Sequence, residues 1–266
     1  MEDTEVLISE VRDCIGTITL SRPAQRNALT PEMLVRLHQT LTAWALSGDV
    51  RVVVIRGAGD KAFSAGYDIR SIPTNPTPEM EALMSQSNPL ELGLRAVKNF
   101  PYPVIAMVNG ACFGGALNLA MCCDLRVGAD DISIGMPPAK LGLVYPAEGV
   151  AQFVSVLGIA KAREVFLTGK AYRGAEVAEM GLVDRLVPRT QLEAAVSALA
   201  SEIAGNAPLA LKGLKRVLHL VEAAATLAPE AAAEVQVLVA ASFASSDALE
   251  GQMAFLEKRA PRFVGR

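Results

Sequence analysis

Residues 103–124, PVIAMVNGACFGGALNLAMCCD, constrain the fold of this chain more than any other stretch. The run 104–108 is apolar and rich in β-branched residues, and Pro103 on one side and Asn109-Gly110 on the other bound it as a buried strand. Gly110, Gly114 and Gly115 then lead into 116–121, ALNLAM, good helix formers with little polar surface. The spacing therefore predicts a tight turn followed by a buried helix whose entrance is made of glycine. Backbone N–H groups at that entrance have no side chains over them, and the helix dipole adds to their pull, so the place suits a negatively charged oxygen. The same glycines would equally serve close packing of strand on helix, and the stretch by itself leaves both uses open.

On either side of it the chain alternates strand and helix patterns. Residues 6–11 and 15–20 are β-rich and separated by Arg12-Asp13-Cys14, which indicates a hairpin. A polar loop, 21–29, carries Arg22 and Arg26. Thr30 followed by Pro31 and Glu32 fits a helix cap with proline at the first position, and Met33, Leu34, Leu37, Leu41 and Trp44 follow at helical spacing. Residues 51–55 read as a buried strand, and 63–69 as a second apolar run broken by Gly66. The proline-bearing 72–89 is poorest in structural signals and is expected to be partly mobile. Further strands are expected at 124–129 and 132–134, whereas 135–149 is too rich in Pro and Gly for regular structure and is long enough to be a functional loop. Helical patterns cover 150–157, 160–167 and 174–180, residues 181–188 supply a last strand, and from Gln191 the pattern is helical to the end. No repeat of fixed period is present. Strands alternating with helices, then a helical tail, indicate an α/β fold with a core over 1–200 and a helical region over 201–266. The alanine-rich 222–244 is apolar around too much of its circumference to face water, so it meets either another subunit or its own core.

The 266 residues suffice for one large domain with a substantial core. A net charge of -3 with both signs scattered offers no basic patch for nucleic acid and no acidic tail. Cys14, Cys112, Cys122 and Cys123 lack metal-ligand spacing and are expected as buried free thiols, which suits a reducing compartment. Residues 1–5 are acidic rather than basic and then apolar, so no secretory signal is expected. No apolar run reaches membrane-spanning length, and the expectation is a soluble cytoplasmic protein without membrane or nucleic-acid partners. His38 and His219 lie on helical patterns and read as surface or packing residues.

The phrases SRP (21–23) and NAL (27–29), FSAGYDI (63–69), the stretch 103–124 and FLEKR (255–259) occur in an order that resembles the crotonase (enoyl-CoA hydratase/isomerase) superfamily over essentially the whole chain. The resemblance implies an α/β fold built as a spiral of ββα units, with a helical C-terminal region that assembles trimers or pairs of trimers. It also implies an acyl-CoA thioester substrate, coenzyme A entering as part of the substrate, and no metal or redox cofactor. Members of the superfamily polarise the thioester carbonyl with two backbone N–H groups, which fall here on Tyr67 and Gly115. Its hydratases add water with two glutamates, and these positions hold Asn118 and Pro138, the second being also the usual place of an isomerase base. Neither residue can exchange a proton, and losing such groups costs about two to four orders of magnitude in rate.

Loss of carbon dioxide from a malonyl-type thioester leaves an enolate directly and needs no base. Within the superfamily FSAGYDIRSIP, LGLVYPAEG and MAFLEKRAPRFVGR are most similar to the methylmalonyl-CoA decarboxylases. Tyr145 corresponds to an active-site tyrosine of that branch, which orients the carboxylate or helps to protonate the enolate. The chain departs from the branch at Tyr67, where a histidine is usual, and at Asn118, where a glutamate is usual. Glu148 is the carboxylate of the 135–149 loop, a candidate atypical base or simply a solvated side chain. For coenzyme A the resemblance points to Arg22, Arg26, Ala28, Ala65, Asp68 and Ile69, and to Phe255 and Lys258 near the C-terminus. Two other activities stay open: an enoyl-CoA hydratase or isomerase using Glu148 or a water, and a catalytically silent acyl-CoA binder.

Overall fold

The computed structural model describes residues 5–71, 88–223 and 229–262. The expected hairpin is present, with β1 (Leu7–Arg12) and β2 (Ile15–Leu20) antiparallel and Leu7 opposite Leu20. β3 (Val52–Gly57) and β5 (Val104–Val108) are buried almost throughout, as parallel strands covered on both faces must be. With β7 (Leu125–Ala129) and β10 (Arg185–Val187) they complete a sheet in the order β1-β2-β3-β5-β7-β10, parallel from β2 onward. Four shorter strands, β4 (Ala62–Ser64), β6 (Ala111–Phe113), β8 (Ser133–Gly135) and β9 (Ala171–Arg173), form a second sheet in that order.

The chain visits the two sheets alternately. β3 and β4, β5 and β6, then β7 and β8 each give one strand to each sheet, and the helices α2 (Pro89–Lys98), α3 (Gly115–Cys122) and α4 (Ala147–Thr168) follow these pairs. This is the spiral of ββα units that the resemblance implied. Its turns begin at Val52, Val104 and Leu125, spacings too unequal to show as a fixed period in the sequence. Preceding the first turn, α1 (Pro31–Ser47) is capped by Thr30, whose hydroxyl accepts from Met33 N, and it buries Met33, Leu34, Leu37 and Leu41. α1 packs on α2. After the spiral come α5 (Ala175–Glu179), α6 (Leu192–Ala204), α7 (Pro208–Ala223), α8 (Pro229–Phe243) and α9 (Ser246–Leu256). α6 lies on the large sheet, and α7 is tied to the core through Lys215, whose buried Nζ donates to Asp124 at 2.6 Å and to Tyr102 O at 2.9 Å.

Two expectations are corrected and one helix is added. Between Val108 and the helix at Gly115 the chain makes not only a turn but the strand β6, three residues long and so too short to show alternation. α2 was not indicated by any periodic signal; its start is fixed by Asn88, whose side chain accepts from Leu90 N at 3.0 Å, at the edge of the proline-bearing segment. The patterns at 150–157 and 160–167 belong to one element, α4, broken at Gly158 (φ 75, ψ 158), and it starts early enough to take Glu148 out of the loop and into its first turn. The segment expected to be mobile lies, over 72–87, outside the described residues, as do 224–228 of the alanine-rich run and the terminal 1–4 and 263–266.

Candidate active site

β4 ends at Ser64, and the chain leaves the sheet through Ala65-Gly66-Tyr67. Gly66 has φ +102, where side chains are strained, and a Cβ there would lie 2.6 Å from Phe113 O. The bend is clamped from one side: Ala65 N donates to Arg26 O (2.9 Å), Leu29 N to Gly66 O (2.8 Å) and Asp68 N to Leu29 O (2.8 Å). Because Gly66 and Asp68 bond to the 26–29 loop, the N–H of Tyr67 between them faces the other way.

On that side stands the start of α3. Parallel pairing of β4 with β6, Ala62 opposite Ala111 and Ser64 opposite Cys112, carries the glycine entrance of α3 past Tyr67. A Cβ on Gly115 would lie 3.4 Å from Tyr67 N, and a Cβ on Gly66 would lie 3.6 Å from Gly115 N. Neither N–H has a hydrogen-bond acceptor among the described residues. All eight residues of α3 are buried, so the positive end of its dipole acts with little screening. Two open donors converging in such a place can hold an oxygen that gains negative charge.

One turn into α3, Asn118 is 1 % exposed. Its Nδ2 donates to Tyr145 Oη at 3.0 Å, while its buried Oδ1 has no donor among the described residues. The Tyr145 ring lies so close to Gly149 that a Cβ there would clash with it, and it packs on Phe166 with centroids 5.6 Å apart. Phe166 in turn meets Phe153 edge-on at 4.9 Å. Burial pushes the Tyr145 phenol well above its ordinary pKa and the Asn118 bond offsets only part of this, so the hydroxyl keeps its proton at neutral pH.

Glu148 sits apart from this pair. It is 63 % exposed and both its oxygens accept from Arg95 Nη2, at 2.8 and 3.0 Å. A second carboxyl was not anticipated: Glu91 of α2, 3.9 Å from Arg95, whose charge adds a small upward push on the Tyr145 phenol to that of burial. Burial first and Glu148 second raise the pKa of Glu91, against the pull of Arg95. Its neighbour Leu90 borders the donors, with Cδ1 3.4 Å from a Cβ placed on Gly115. The signal that could have found both is the Asn88-Pro89 cap with an acid in the first helical turn. Pro138 is buried in a single 3₁₀ turn, Pro138–Leu141, that is seated on α9, where a Cβ on Gly251 would lie 2.5 Å from Leu141 O.

The residues singled out for coenzyme A fall into two groups. Arg22 Nη1 donates to Ala28 O at 2.9 Å and to Asp68 Oδ2 at 3.3 Å, so this guanidinium faces inward, whereas Arg26 is exposed. Burial raises the pKa of Asp68, but bonds from Arg70 and Arg22 outweigh it and hold the carboxyl below the usual range. Ala65, Asp68 and Ile69 continue the same edge. The second group, the exposed Phe255 and Lys258, comes to it through α9, where Gln252 Nε2 donates to Ile69 O at 2.7 Å.

A family model described as Enoyl-CoA hydratase/isomerase matches residues 10–266. The chain is 33 % identical to the carnitinyl-CoA dehydratase of Escherichia coli strain K12 over 253 residues, 94 % of each protein. Among solved structures it is similar to a methylmalonyl-CoA decarboxylase in complex with 2-nitronate-propionyl-CoA, with TM-score 0.90 and 28 % identity over 99 % of this chain and 100 % of that one. It is also similar to an enoyl-CoA hydratase/carnithine racemase from Magnetospirillum magneticum, with TM-score 0.78 and 32 % identity over 99 % and 97 % of the two chains.

Proposed function

The chain belongs to the enoyl-CoA hydratase/isomerase (crotonase) family, and from that premise we propose that it decarboxylates a malonyl-type acyl-CoA thioester, methylmalonyl-CoA to propionyl-CoA. In this reaction the bond between the α-carbon and the carboxylate breaks, carbon dioxide leaves, and the electron pair passes into the thioester to give an enolate. The N–H groups of Tyr67 and Gly115 take the enolate oxygen, and a proton then adds to the α-carbon. Removal of one such donor in other enzymes costs about 10²–10³ in rate, so these two bonds supply much of the catalysis.

The observation that carries the reading is the neutral pair Asn118–Tyr145 beside the two donors. Hydration or isomerisation needs a base that takes a proton there, and neither an amide nor a phenol held in its protonated form can act as that base at neutral pH. A carboxylate that is to be expelled needs only to be oriented, and the Tyr145 hydroxyl can do that without the strong ground-state stabilisation a cation would give. Similarity over the whole chain to a methylmalonyl-CoA decarboxylase supports the same reading. The edge formed by Arg26, Ala28, Ala65, Asp68 and Ile69, with Phe255 and Lys258 facing it, would bind coenzyme A, and Arg22 would brace that edge through Ala28 and Asp68. Pro138 and Glu148 would bound the acyl side. No metal or redox group takes part, and the working protein is a trimer or a pair of trimers.

Two observations favour hydration of an enoyl-CoA instead: Glu91 has a raised pKa and its charge acts on the Tyr145 phenol, and the chain is 33 % identical to a carnitinyl-CoA dehydratase. Incubating the purified protein separately with methylmalonyl-CoA and crotonyl-CoA, with products followed by mass spectrometry, decides between them. Propionyl-CoA from the first and no 3-hydroxy product from the second is the expected result. Turnover of crotonyl-CoA alone would reverse the assignment, and binding of both without turnover would leave an acyl-CoA binder.

A further inference from the structure

Gly114, where the chain turns into α3, has φ 53 and ψ -123, and the helix start carries no side-chain cap. Gly114 N donates to Gly135 O at 2.9 Å and so ties the entrance to the small sheet, but a glycine in this conformation is a pivot rather than a brace. α3 has eight residues, about 12 Å at the rise of an α-helix, so it tilts as one body, and the direction of the Gly115 N–H follows wherever the far end is held. At that end the last carbonyls have no donors within the helix and must find them elsewhere. Met121 O finds Gln152 of α4, whose Nε2 donates to it at 2.8 Å. Gln152 is buried, and its Oε1 accepts at 2.6 Å from the Nζ of Lys98, the last residue of α2. Both directions are fixed by the partners, since a carbonyl oxygen only accepts and an ammonium only donates. Lys98 Nζ also donates to Glu222 of α7 at 3.1 Å, and Ser155 Oγ donates to the same carboxylate oxygen at 2.6 Å. The series Glu222, Lys98, Gln152, Met121 O thus runs unbroken from α7 to the C-terminal end of α3.

We propose that Gln152, backed by Lys98 and Glu222, is a positioning residue that holds α3 at the angle at which the Gly115 N–H meets the thioester oxygen. This rests on the reading of Tyr67 and Gly115 as the two donors to that oxygen. A polar relay suits the task better than apolar packing, because a hydrogen bond fixes distance and direction whereas the hydrophobic effect is non-directional. A small tilt is enough to matter: a displacement of about 1 Å at a reacting centre costs about 10² in rate. Glu222 is the outer anchor, since it holds the Lys98 ammonium between two acceptors and so keeps Gln152 from turning away from Met121 O.

The test reads the polarised carbonyl itself. Propionyl-CoA with an isotope label at the thioester carbonyl carbon is bound to the full-length protein, and difference infrared spectroscopy gives its stretching frequency. In wild type the two donors should lower that frequency relative to the ligand free in solution. In Gln152→Leu, which keeps the bulk and loses both bonds, it should return part of the way, and kcat and kcat/KM for methylmalonyl-CoA should fall together by about 10–10². Gln152→Glu keeps an acceptor for Lys98 but has no hydrogen to offer Met121 O, so it should behave in the same way, and it covers the case in which leucine disturbs folding. Lys98→Met should give a smaller change of the same sign, and Gln152→Leu combined with Lys98→Met no more than Gln152→Leu alone, because both act through one hydrogen bond to α3. Lost stability by itself would weaken the bound band without moving it. A band at the wild-type frequency in both Gln152→Leu and Gln152→Glu, or changes that add in the double variant, would overturn the proposal. A wild-type band at the free-ligand frequency would remove the two donors and the proposal with them, whereas a lowered wild-type band without turnover of methylmalonyl-CoA would count against the decarboxylase reading alone.

Discussion

Gly115 puts no side chain into the space beside Tyr67 N, and adding one isolates the contribution of the two donors. In Gly115→Ala the new Cβ would stand 3.4 Å from both Leu90 Cδ1 and Tyr67 N, ordinary contact distances, so the fold should accept it. The same methyl occupies the space between the donors. We expect kcat/KM for the decarboxylation to fall by about 10²–10³ with little change in thermal unfolding. Tyr67→Phe, which leaves the backbone donor in place, should keep most of the activity; a loss as large as that of Gly115→Ala would place the chemistry on the phenol instead. Asp68, next to Tyr67, gives the site an acid sensitivity. Its pKa is held below that of an unfolded carboxylate, about 3.9, by Arg70 and Arg22 acting against burial. The stabilisation this gives is therefore present above about pH 4 and is lost as pH falls toward the folded pKa. Asp68→Asn should unfold at lower urea than wild type at pH 7 and show a flatter loss of stability between about pH 4 and pH 3, which denaturation midpoints across that range would reveal.

At the scale of elements, the site is a meeting of three helix starts with one strand end, and they were unequally legible. The entrance of α3 was readable because glycines before an apolar helix form an abrupt local signal, and Gly115 and Asn118 followed from it. The bend at Gly66 was visible as a broken apolar run, but only the pairing of β4 with β6 brings Tyr67 to Gly115, and no local pattern encodes such a contact between distant residues. α2 was missed because its first turn adjoins the proline-bearing segment, and Glu91 was missed with it. Glu148 was visible, yet its partner Arg95 lies on that same unrecognised helix, so its ion pair could not be foreseen. The two acids can be told apart experimentally. Glu148→Gln removes one exposed ion pair, worth about 0–1 kcal/mol, and decarboxylation should stay within a few-fold of wild type. Glu91→Gln should likewise spare decarboxylation, since that reaction needs no base. A loss of about two orders of magnitude or more in Glu91→Gln, read by steady-state kinetics, would instead assign Glu91 the proton transfer that the hydratase reading requires.

Across the whole molecule, α7 has the inverse of a surface helix. Its lysine at 215 is buried against Asp124 and Tyr102 O, while Leu214, Val217, Leu218 and Val221, spaced to form one stripe, stand exposed. The Lys215–Asp124 pair fixes the rotation of the helix, because turning the leucines inward would draw a charged nitrogen away from its only carboxylate partner among the described residues. A contiguous apolar stripe held outward in this way is what an association surface requires, and it is the strongest ground for the trimer proposed above. The alanine-rich run is the candidate that the sequence offers, because it is apolar around most of its circumference, whereas α7 is amphipathic and would pass for an ordinary surface helix until the inward face is seen to be the one with the lysine. Wild-type protein should therefore sediment at a mass that is a threefold multiple of the 28.1 kDa chain. Leu218→Glu places a charge in the middle of the stripe without touching the Lys215 pair, and it should sediment as the single chain with its far-ultraviolet circular dichroism unchanged. Wild type running as a single chain, or Leu218→Glu keeping the multiple, would mean that the stripe serves some other contact and that the trimer does not form through α7.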